Sequence, residues 1–324
     1  MQWTDRIGRR VKLRDLHVLL AVAETRSMVK AAERLAISQP VVSKTIADLE
    51  HALGVRLLDR TSQGVEPTAY GRSFIHCGTA VFDELRRGVQ EIEFLSDPTV
   101  GEVRIGGPGA FTDVLVPAAI AQLAARYPRI EFHVTSNDTT TACRMLRERK
   151  LDLVIGRIPG SMFADDLAVD ALFEDRLSVV AGPGSRWLRR RKIDLAELAG
   201  EAWVFPEADT PARELFDESF RSAGVATPKP QVVSNSIAVR TRLVETGRFL
   251  TMLPTSTLHF GAAWRWLKIL PVSTGMTTGP EIITLKNRTR NPIATLFIKE
   301  LRALVEPMTK KAIKSERAQE RWSQ

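Results

Sequence analysis

Residues 27–54 have the sequence SMVKAAERLAISQPVVSKTIADLEHALG, which contains the start and stop signals of two short helices. Ser27 and Ser38 are natural N-caps, because a serine hydroxyl accepts a hydrogen bond from the N–H groups that begin a helix. Pro40 suits the first turn of the second helix, and Gly54 suits the position just after its end. With an amphipathic segment just upstream, the pattern predicts three short helices joined by tight turns.

The last of these helices has two chemically different faces. Apolar residues at helical spacing predict a face that is turned toward a core, and they are Val42, Ile46, Leu49 and Leu53. The opposite face is small, polar and positive, and it comprises Pro40, Ser43, Lys44 and Ala47. Such a helix N-terminus suits contacts with a DNA duplex. Periodicity alone leaves open a small helical subdomain with a solvated face.

A β-hairpin is predicted directly after these helices. Residues 55–68 have the sequence VRLLDRTSQGVEPT, in which two short apolar stretches flank a Ser-Gln-Gly turn. A hairpin that follows a helix-turn-helix is a wing. Arg60 and Gln63, near its tip, are predicted to reach the sugar-phosphate backbone or the minor groove.

These residues carry a resemblance to a known family. The pattern S-x3-A-A-x2-L-x2-S-Q-P-x2-S-K-x-I-x2-L-E-x2-L-G-V-x-L-L-x-R begins at Ser27 and is followed by T-x2-G at Thr68. It resembles the N-terminal domain of LysR-type transcriptional regulators. The resemblance implies DNA contacts at Gln39, Pro40, Ser43, Lys44 and Arg60. With the helix caps and the wing, the predicted DNA-binding residues are Ser27, Ser38, Gln39, Pro40, Ser43, Lys44, Arg60 and Gln63.

Two positions depart from the pattern of the family. Leu58 stands where the family often has phenylalanine, and Lys44 stands where it often has arginine. Lysine is a point charge without the fork of a guanidinium. We therefore expect Lys44 to hold phosphate more than it reads a base.

A long helix is predicted over residues 68–96, which contain no proline. At 1.5 Å per residue it would be about 43 Å long. Apolar and small residues follow a 3-4-3-4-3 spacing, typical of a helix that pairs with a second helix, at Gly78, Val81, Leu85, Gly88, Ile92 and Leu95. Val81, Leu85 and Ile92 are the predicted dimer contacts, with packing against the chain's own body as the alternative. The resemblance implies a dimer or a tetramer.

An α/β domain is predicted from residue 101 onward, because β-like and helical segments alternate. Ligands of parallel sheets bind beyond the carboxyl ends of the strands. The resemblance implies a two-lobed fold similar to periplasmic solute-binding proteins. Our predicted effector-binding residues come from both lobes and are Ala110, Thr112, Thr139, Arg157, Phe205 and Phe249.

Three of these residues bear on the ligand. The family often has serine or threonine at the position of Ala110, and it has glycine where this chain has Phe249. The pocket is therefore expected to be smaller or more apolar than is usual in the family. Arg157 favours a carboxylate, and the alternative is a structural surface arginine. We predict a small organic anion as the effector.

The fold class predicted for the whole chain is therefore α/β, with four parts. These are a winged helix-turn-helix (1–67), a linker helix for dimerisation (68–97), an effector-binding regulatory domain (98–307) and a basic C-terminal tail (308–324).

The composition fits this assignment. The chain has 324 residues, 44% hydrophobic and 26% charged, which is typical of a soluble globular protein. The net charge is +8, and residues 1–72 hold 12 Lys/Arg against 8 Asp/Glu, an excess that suits a polyanion. No apolar run is long enough to cross a membrane, no secretory signal is evident, and there are two cysteines. We therefore expect a cytoplasmic protein that needs no cofactor or metal.

Other functions are disfavoured or remain open. The five histidines are scattered and no catalytic motif is present, which disfavours an enzyme. A transported-solute binder and a constitutive DNA-binding protein without an effector remain alternatives. Redox sensing by Cys77 and Cys143, and nucleotide binding at residues 106–109, are disfavoured. The expected partners are double-stranded operator DNA, a small-molecule effector, a second copy of the chain and RNA polymerase.

Overall fold

The computed structural model describes residues 10–61, 64–158, 165–260 and 265–320. Of Arg60, Thr61, Thr278 and residues 308–320, only the backbone is described. The chain divides into two compact units between Gly88 and Val89, inside one long helix. None of the helices in the described part of the chain is long and apolar enough to cross a bilayer.

The helices and strands have the following bounds. The helices are α1 (Leu13–Thr25), α2 (Met28–Leu35), α3 (Gln39–Leu53), α4 (Ala69–Ser96), α5 (Gly109–Thr112), α6 (Leu115–Arg126), α7 (Thr139–Arg147), α8 (Pro211–Ser222), α9 (Ile237–Glu245), α10 (Thr255–Phe260) and α11 (Pro292–Glu320). The strands are β1 (Leu58–Thr61), β2 (Gly64–Pro67), β3 (Val100–Gly107), β4 (Arg129–Ser136), β5 (Leu153–Gly156), β6 (Leu167–Ala171), β7 (Asp175–Ala181), β8 (Ala202–Phe205), β9 (Val232–Val233), β10 (Phe249–Pro254), β11 (Lys268–Ile269), β12 (Thr277–Thr278) and β13 (Glu281–Leu285).

The first unit contains three helices and an antiparallel hairpin, as predicted. Its core is made of the apolar face of each helix together with both strands, and it includes Leu16, Leu19, Ala31, Val42, Ile46, Leu49, Leu57 and Val65. Ala36 ends α2 in the left-handed region, with φ of 53°, which turns the chain into α3. Glu50 joins α3 to the hairpin, because its Oε1 accepts hydrogen bonds from the N–H groups of Leu57 (2.7 Å) and Leu58 (3.1 Å). The wing therefore has a fixed root.

The start of α4 packs very closely on this unit. A Cβ atom on Gly71 would lie 1.9 Å from the carbonyl oxygen of Leu57, which no side chain tolerates. Thr68 caps the helix, since its Oγ1 accepts from the N–H of Gly71 at 3.0 Å and donates to the carbonyl of Arg56 at 2.8 Å. These contacts make the first turn of α4 part of the winged domain.

The second unit has two lobes, each built on a sheet. The first sheet has the order β4-β3-β5-β13-β6, in which β3 is parallel to β4 and β5, and β13 is antiparallel to β5 and β6. The second sheet has the order β11-β7-β10-β8-β9, with β12 also on β7. Since β13 follows the second sheet in the chain but lies in the first, the chain crosses between the lobes twice. The predicted two-lobed α/β fold is confirmed.

The carboxyl-terminal helix was not predicted. Ile293, Phe297 and Leu301 of α11 are buried in the core of the first lobe. The helix continues past Pro307 to Glu320, through the segment predicted as a separate basic tail. The segment between β3 and β4 contains two helices, α5 and α6, separated by Asp113 and Val114.

Candidate functional site

The N-terminus of α3 presents the polar residues that the sequence singled out. Ser38 is the N-cap, with extended backbone geometry and no side-chain capping bond. Gln39 donates from Nε2 to the Oγ of Ser43 at 2.8 Å, one turn further along the helix. Pro40 and Lys44 are exposed. This surface therefore offers an amide, hydroxyls and a cation to a partner outside the chain.

One exposed apolar residue on this surface was not predicted. Val41 has 39% of its surface exposed, between Pro40 and the buried Val42. An apolar group at a recognition helix can contact the methyl group of thymine. The exposure of Val41 could have been predicted from the two adjacent valines, because only one of two neighbours on a helix can face the core.

The remaining predicted DNA-binding residues are less completely described. The Oγ of Ser27 accepts a hydrogen bond from the N–H of Lys30 at 3.3 Å and so caps α2. Arg60 lies on β1, and nothing is described of its side chain. Gln63 lies outside the described residues.

The predicted dimer stripe of α4 is largely exposed. Leu85 and Ile92 have 48% and 65% of their surfaces exposed, and Val81 is exposed as well. Gly78 differs, because it lies against Leu16 of α1. A row of exposed apolar side chains along one helix is a surface suited to a partner helix.

A cleft lies between the two lobes of the second unit and has two adjoining chambers. The outer chamber has a volume of about 390 Å³, which is typical of a small-molecule site. The inner chamber is about 60 Å³. Residues that line both chambers are Pro108, Ala110, Thr139, Pro211, Ala212 and Arg240.

Three helices of eight or more residues begin at this cleft. Their N-caps are Asp138 for α7, Thr210 for α8 and Ser236 for α9, and all three line the outer chamber. A helix N-terminus carries partial positive charge and favours a nearby anion. The field in the cleft therefore favours negative charge.

Arg240 is the cation of the cleft, and it was not among the residues predicted from the sequence. Only 6% of its surface is exposed, and its Nε makes no hydrogen bond. Burial lowers the pKa of Arg240 to about 10, and no carboxylate among the described residues offsets that effect. The guanidinium is still protonated at neutral pH.

The signal for Arg240 was present in its helix. The buried residues of α9 recur at i, i+3, i+4 and i+7, and they are Ile237, Arg240, Thr241 and Val244. An arginine on the buried stripe of a helix is unusual, because charged side chains are rarely fully buried without a partner. The periodicity of α9 could therefore have identified Arg240 as a buried arginine, whereas the motifs of the family did not include it.

Three of the predicted effector-binding residues do line the cleft. Ala110 and Thr139 border both chambers, and Arg157 borders the inner one. Thr112 does not. It is buried, and its Oγ1 lies 2.6 Å from the Oγ of Ser136 and 3.2 Å from the carbonyl of Pro108. Thr112 therefore holds Ser136 in place, and Ser136 itself faces the outer chamber.

The two aromatic residues predicted to bind the effector, Phe205 and Phe249, do not line either chamber. Phe205 is fully buried in the core of the second lobe, with its ring 5.2 Å from that of Phe216. Phe249 begins β10, whereas ligands gather at the carboxyl ends of strands, and Met252 and Pro254 further along β10 do line the inner chamber. The apolar wall is made by other residues, namely Phe111, Leu177, Leu215, Phe216, Met252 and Pro254.

The cysteines and the possible metal ligands of the described residues do not form a reactive site. Cys77 is exposed on α4 and Cys143 is buried. Burial raises the pKa of Cys143 to about 11, so that its reactive thiolate is scarce at neutral pH. Among the described residues, no group of three or more His, Cys, Asp or Glu is placed to hold a metal.

Comparison with known proteins places both units in one family. Residues 13–72 match the bacterial regulatory helix-turn-helix proteins of the lysR family, and residues 96–306 match the LysR substrate binding domain. The chain is 28% identical to the HTH-type transcriptional regulator GbpR of Azospirillum brasilense over 306 residues, 94% of this chain and 90% of that protein. It is 25% identical to the HTH-type transcriptional regulator PcaQ of Agrobacterium fabrum, over 88% of this chain and 91% of that one.

Solved structures show the same fold. A full-length OxyR variant from Pseudomonas aeruginosa is similar with a TM-score of 0.67 at 21% identity, over 91% of this chain and 96% of that chain. Full-length CbnR complexed with its target DNA is similar with a TM-score of 0.63 at 21% identity, over 90% and 99%. The chain belongs to the LysR family of transcriptional regulators, with a helix-turn-helix domain followed by a substrate-binding domain.

Proposed function

We propose that this regulator responds to a small organic anion that binds in the cleft between the lobes, with Arg240 as its principal partner. The observation that supports the proposal is a buried guanidinium that borders both chambers and has no carboxylate partner among the described residues. Removing one charge from water without a partner costs several kcal/mol. An anion in the cleft offsets that cost, so ligand binding and the burial of Arg240 support each other.

The inner chamber supports an organic anion over an inorganic one. Its walls are mostly apolar, and they include Phe111, Leu215 and Met252. Arg157 also borders it, from the carboxyl end of β5. An organic acid combines a charged carboxylate with a carbon chain, and a guanidinium binds the carboxylate through two parallel hydrogen bonds. An organic acid therefore satisfies both the charge and the apolar walls.

The test compares two arginines of the same helix. In Arg240→Met the cleft loses its cation, whereas in the control Arg242→Met an exposed arginine paired with Glu245 is lost. We expect carboxylates found by thermal-shift screening of the full chain to bind Arg240→Met about 10- to 150-fold more weakly, since a hydrogen bond to a charged group contributes roughly 1.5–3 kcal/mol. The control should bind normally. Unchanged carboxylate affinity in Arg240→Met would remove this arginine from the site.

We also propose that α3 and the wing bind operator DNA, through Ser27, Ser38, Gln39, Pro40, Ser43, Lys44, Arg60 and Gln63. The exposed amide, hydroxyls and cation at the start of α3 support this assignment. CbnR, which has this fold, was solved with its target DNA. A regulator of this kind acts in the cytoplasm, where bacterial DNA lies, and contact with RNA polymerase would carry its signal to transcription.

We propose that two copies pair through the exposed stripe of α4. Leu85→Asp should separate them, because a charge buried between two helices without a partner costs several kcal/mol. Since Leu85 is exposed in the single chain, the variant should keep its fold by circular dichroism. Light scattering measures the mass of the particle. A mass equal to that of the unmodified protein would exclude this stripe as the dimer contact.

A further inference from the structure

The outer chamber of the cleft contains two carboxylates, which is unexpected in a site for an anion. Asp113 and Asp138 both line it, together with Ser136 and Asn235. The Oδ1 of Asp113 accepts from the Oγ of Ser136 at 2.8 Å, and the Oδ1 of Asp138 accepts from the N–H of Thr141 at 2.9 Å. Within the described part of the chain, the Oδ2 atom of each aspartate accepts no hydrogen bond.

Asp113 is exposed and Asp138 is half-buried, so a ligand that covers these carboxylates has to donate hydrogen bonds to them in place of water. An acid with a plain hydrocarbon chain would displace water from both carboxylates without donating hydrogen bonds to them, which is unfavourable for an ionised group. Electrostatic repulsion between the charge of the ligand and these two carboxylates would also oppose the attraction of the ligand to Arg240. The chamber is therefore poorly suited to an alkyl carboxylate, although its cation favours one.

Neighbouring groups distinguish hydroxyls from an ammonium group. Asn235 uses its Oδ1 to accept from the N–H of Glu207 at 3.0 Å, which leaves its amide as a donor to the cleft. The chamber thus offers both acceptors and a donor. A hydroxyl group donates and accepts, whereas an ammonium group only donates. Hydroxyls match this mixture and ammonium does not.

Space at Asp113 is preserved by a glycine. A Cβ atom on Gly109 would lie 2.8 Å from the Oδ2 of Asp113 and 3.2 Å from Cγ2 of Ile237. Any side chain at Gly109 would therefore displace the free oxygen of the carboxylate or occupy the space in front of it. The glycine leaves that oxygen open to a ligand.

We infer that the effector is a carboxylic acid that carries several hydroxyl groups. Its carboxylate binds Arg240 where the two chambers meet, and its hydroxyls lie in the outer chamber and donate to Asp113 and Asp138. The inference rests on the proposed function, because it assumes that Arg240 binds the anion. It adds the chemistry of the other end of the ligand.

The experiment uses matched pairs of acids on the full chain, measured by calorimetry. Each pair has the same carbon number with and without hydroxyls, and the pairs are glycerate with propionate, threonate with butyrate, and gluconate with hexanoate. In at least one pair the hydroxylated acid should bind about tenfold more tightly or better, because its hydroxyls make charge-assisted hydrogen bonds to the Oδ2 atoms of Asp113 and Asp138. Glucitol, which lacks the carboxylate, should bind weakly. Likewise 6-aminohexanoate should bind no better than hexanoate.

The aspartates are tested by a double variant. Asp113→Asn with Asp138→Asn keeps both side-chain shapes, and asparagine is as good an N-cap as aspartate. This variant should lose most of the preference for the hydroxylated acid while still binding hexanoate. The control Asp170→Asn, on β6 and paired with Arg302, should keep the preference.

The possible failures are distinguishable. If hexanoate binds as tightly as gluconate and Arg240→Met weakens both, the hydroxyl inference is wrong and the proposed function stands. A preference for 6-aminohexanoate over gluconate would assign the outer chamber to an ammonium group instead. A hydroxyl preference that survives the double variant would remove the two aspartates from the site. If no acid binds in any pair, both proposals fail.

Discussion

The start of α3 and the cleft between the lobes place their polar groups in opposite settings. On α3, Gln39 and Lys44 are exposed and lie within six consecutive residues. In the cleft, Thr139 and Arg240 are buried, and they come from helices about 100 residues apart in the chain. A long polyanion is bound from outside, so its donors must be exposed, whereas a small anion is surrounded and its donors are withdrawn from water. The setting of a cation thus indicates the size of its partner.

Buried arginines of the second unit sharpen this contrast. The side chain of Arg288 is also buried, but it donates to the carbonyl of Leu151 and forms an ion pair with Asp152 at 3.4 Å. Asp152 in turn accepts from the backbone N–H of Arg104 at 2.9 Å. Arg288 is therefore satisfied by the fold itself. Arg240 lacks such a network in the described chain, which is what separates a ligand-binding arginine from a structural one.

The largest effect is expected when these two arginines are replaced in turn. Arg288→Met should lower the free energy of unfolding by about 3–5 kcal/mol, because it removes the cation of a buried ion pair and leaves the charge of Asp152 uncompensated. Arg240→Met in the absence of ligand should leave the stability unchanged or raise it, since a buried unpaired charge is removed. Urea denaturation of the full chain measures both. A large loss of stability in Arg240→Met would mean that this arginine supports the fold.

A smaller effect is expected at α3. Gln39→Ala or Ser43→Ala should reduce discrimination between operator and random DNA by about 1–3 kcal/mol, as for the loss of one good base contact. Lys44→Met should weaken binding to both DNAs alike and lower the salt dependence, because a phosphate contact carries no sequence information. Fluorescence anisotropy at several salt concentrations measures these changes.

Stability provides the control for the α3 variants. Because Gln39 and Lys44 are exposed and Ser43 is only half-buried, removal of these side chains should change the free energy of unfolding by no more than about 0.5 kcal/mol. Equal weakening of operator and random DNA by Ser43→Ala would assign Ser43 to the DNA backbone. A clear loss of stability would instead mean that the bond between Gln39 and Ser43 supports the helix.

The winged domain could be predicted from the sequence because its determinants are local. Ser27 caps α2, Gly54 ends α3 with φ of 73°, and the apolar spacing of α3 fixes its buried face. Each of these signals acts within a few residues. The structure has Ser27 and Ser38 at the N-caps of α2 and α3 and Gly54 directly after α3, as predicted.

The cleft could be predicted only in part, because it depends on contacts between distant segments. Alternation of strands and helices located Ala110, Thr139 and Arg157, which follow strands of the first lobe. Sequence could not show that Phe205 faces away from the cleft, since both faces of β8 carry apolar residues that are buried. Nor could it show that α11 returns to cover the first lobe. Strand order and the facing of a buried strand are tertiary properties.

Asp175 is a further buried charge to be compared, and it gives the smallest expected effect. It lies at the start of β7, where its carboxylate accepts from the N–H groups of Ser256 at 3.0 Å and Arg176 at 2.8 Å. Burial raises the pKa of Asp175 above its ordinary value of 3.8, although these hydrogen bonds act in the opposite direction. Unlike Arg240, it has its partners within the fold.

The raised pKa fixes the sign of the pH dependence. A carboxyl group that binds its proton more tightly in the folded state stabilises the fold most below pH 3.8, and this contribution is lost as the pH rises through the folded pKa. Asp175→Asn should remove that loss, so the stability of the variant should decrease less than that of the unmodified protein as the pH rises above 3.8. At pH 7 the change should be within about 1 kcal/mol, because asparagine keeps an acceptor for the same N–H groups.

Asp166→Asn is the control of opposite sign, since the hydrogen bond from Arg147 lowers the pKa of Asp166. Its contribution is present above pH 3.8 and is lost as the pH falls. Urea denaturation at several pH values measures both, and an Asp175→Asn profile parallel to that of the unmodified protein would show that Asp175 titrates as it does in the unfolded chain.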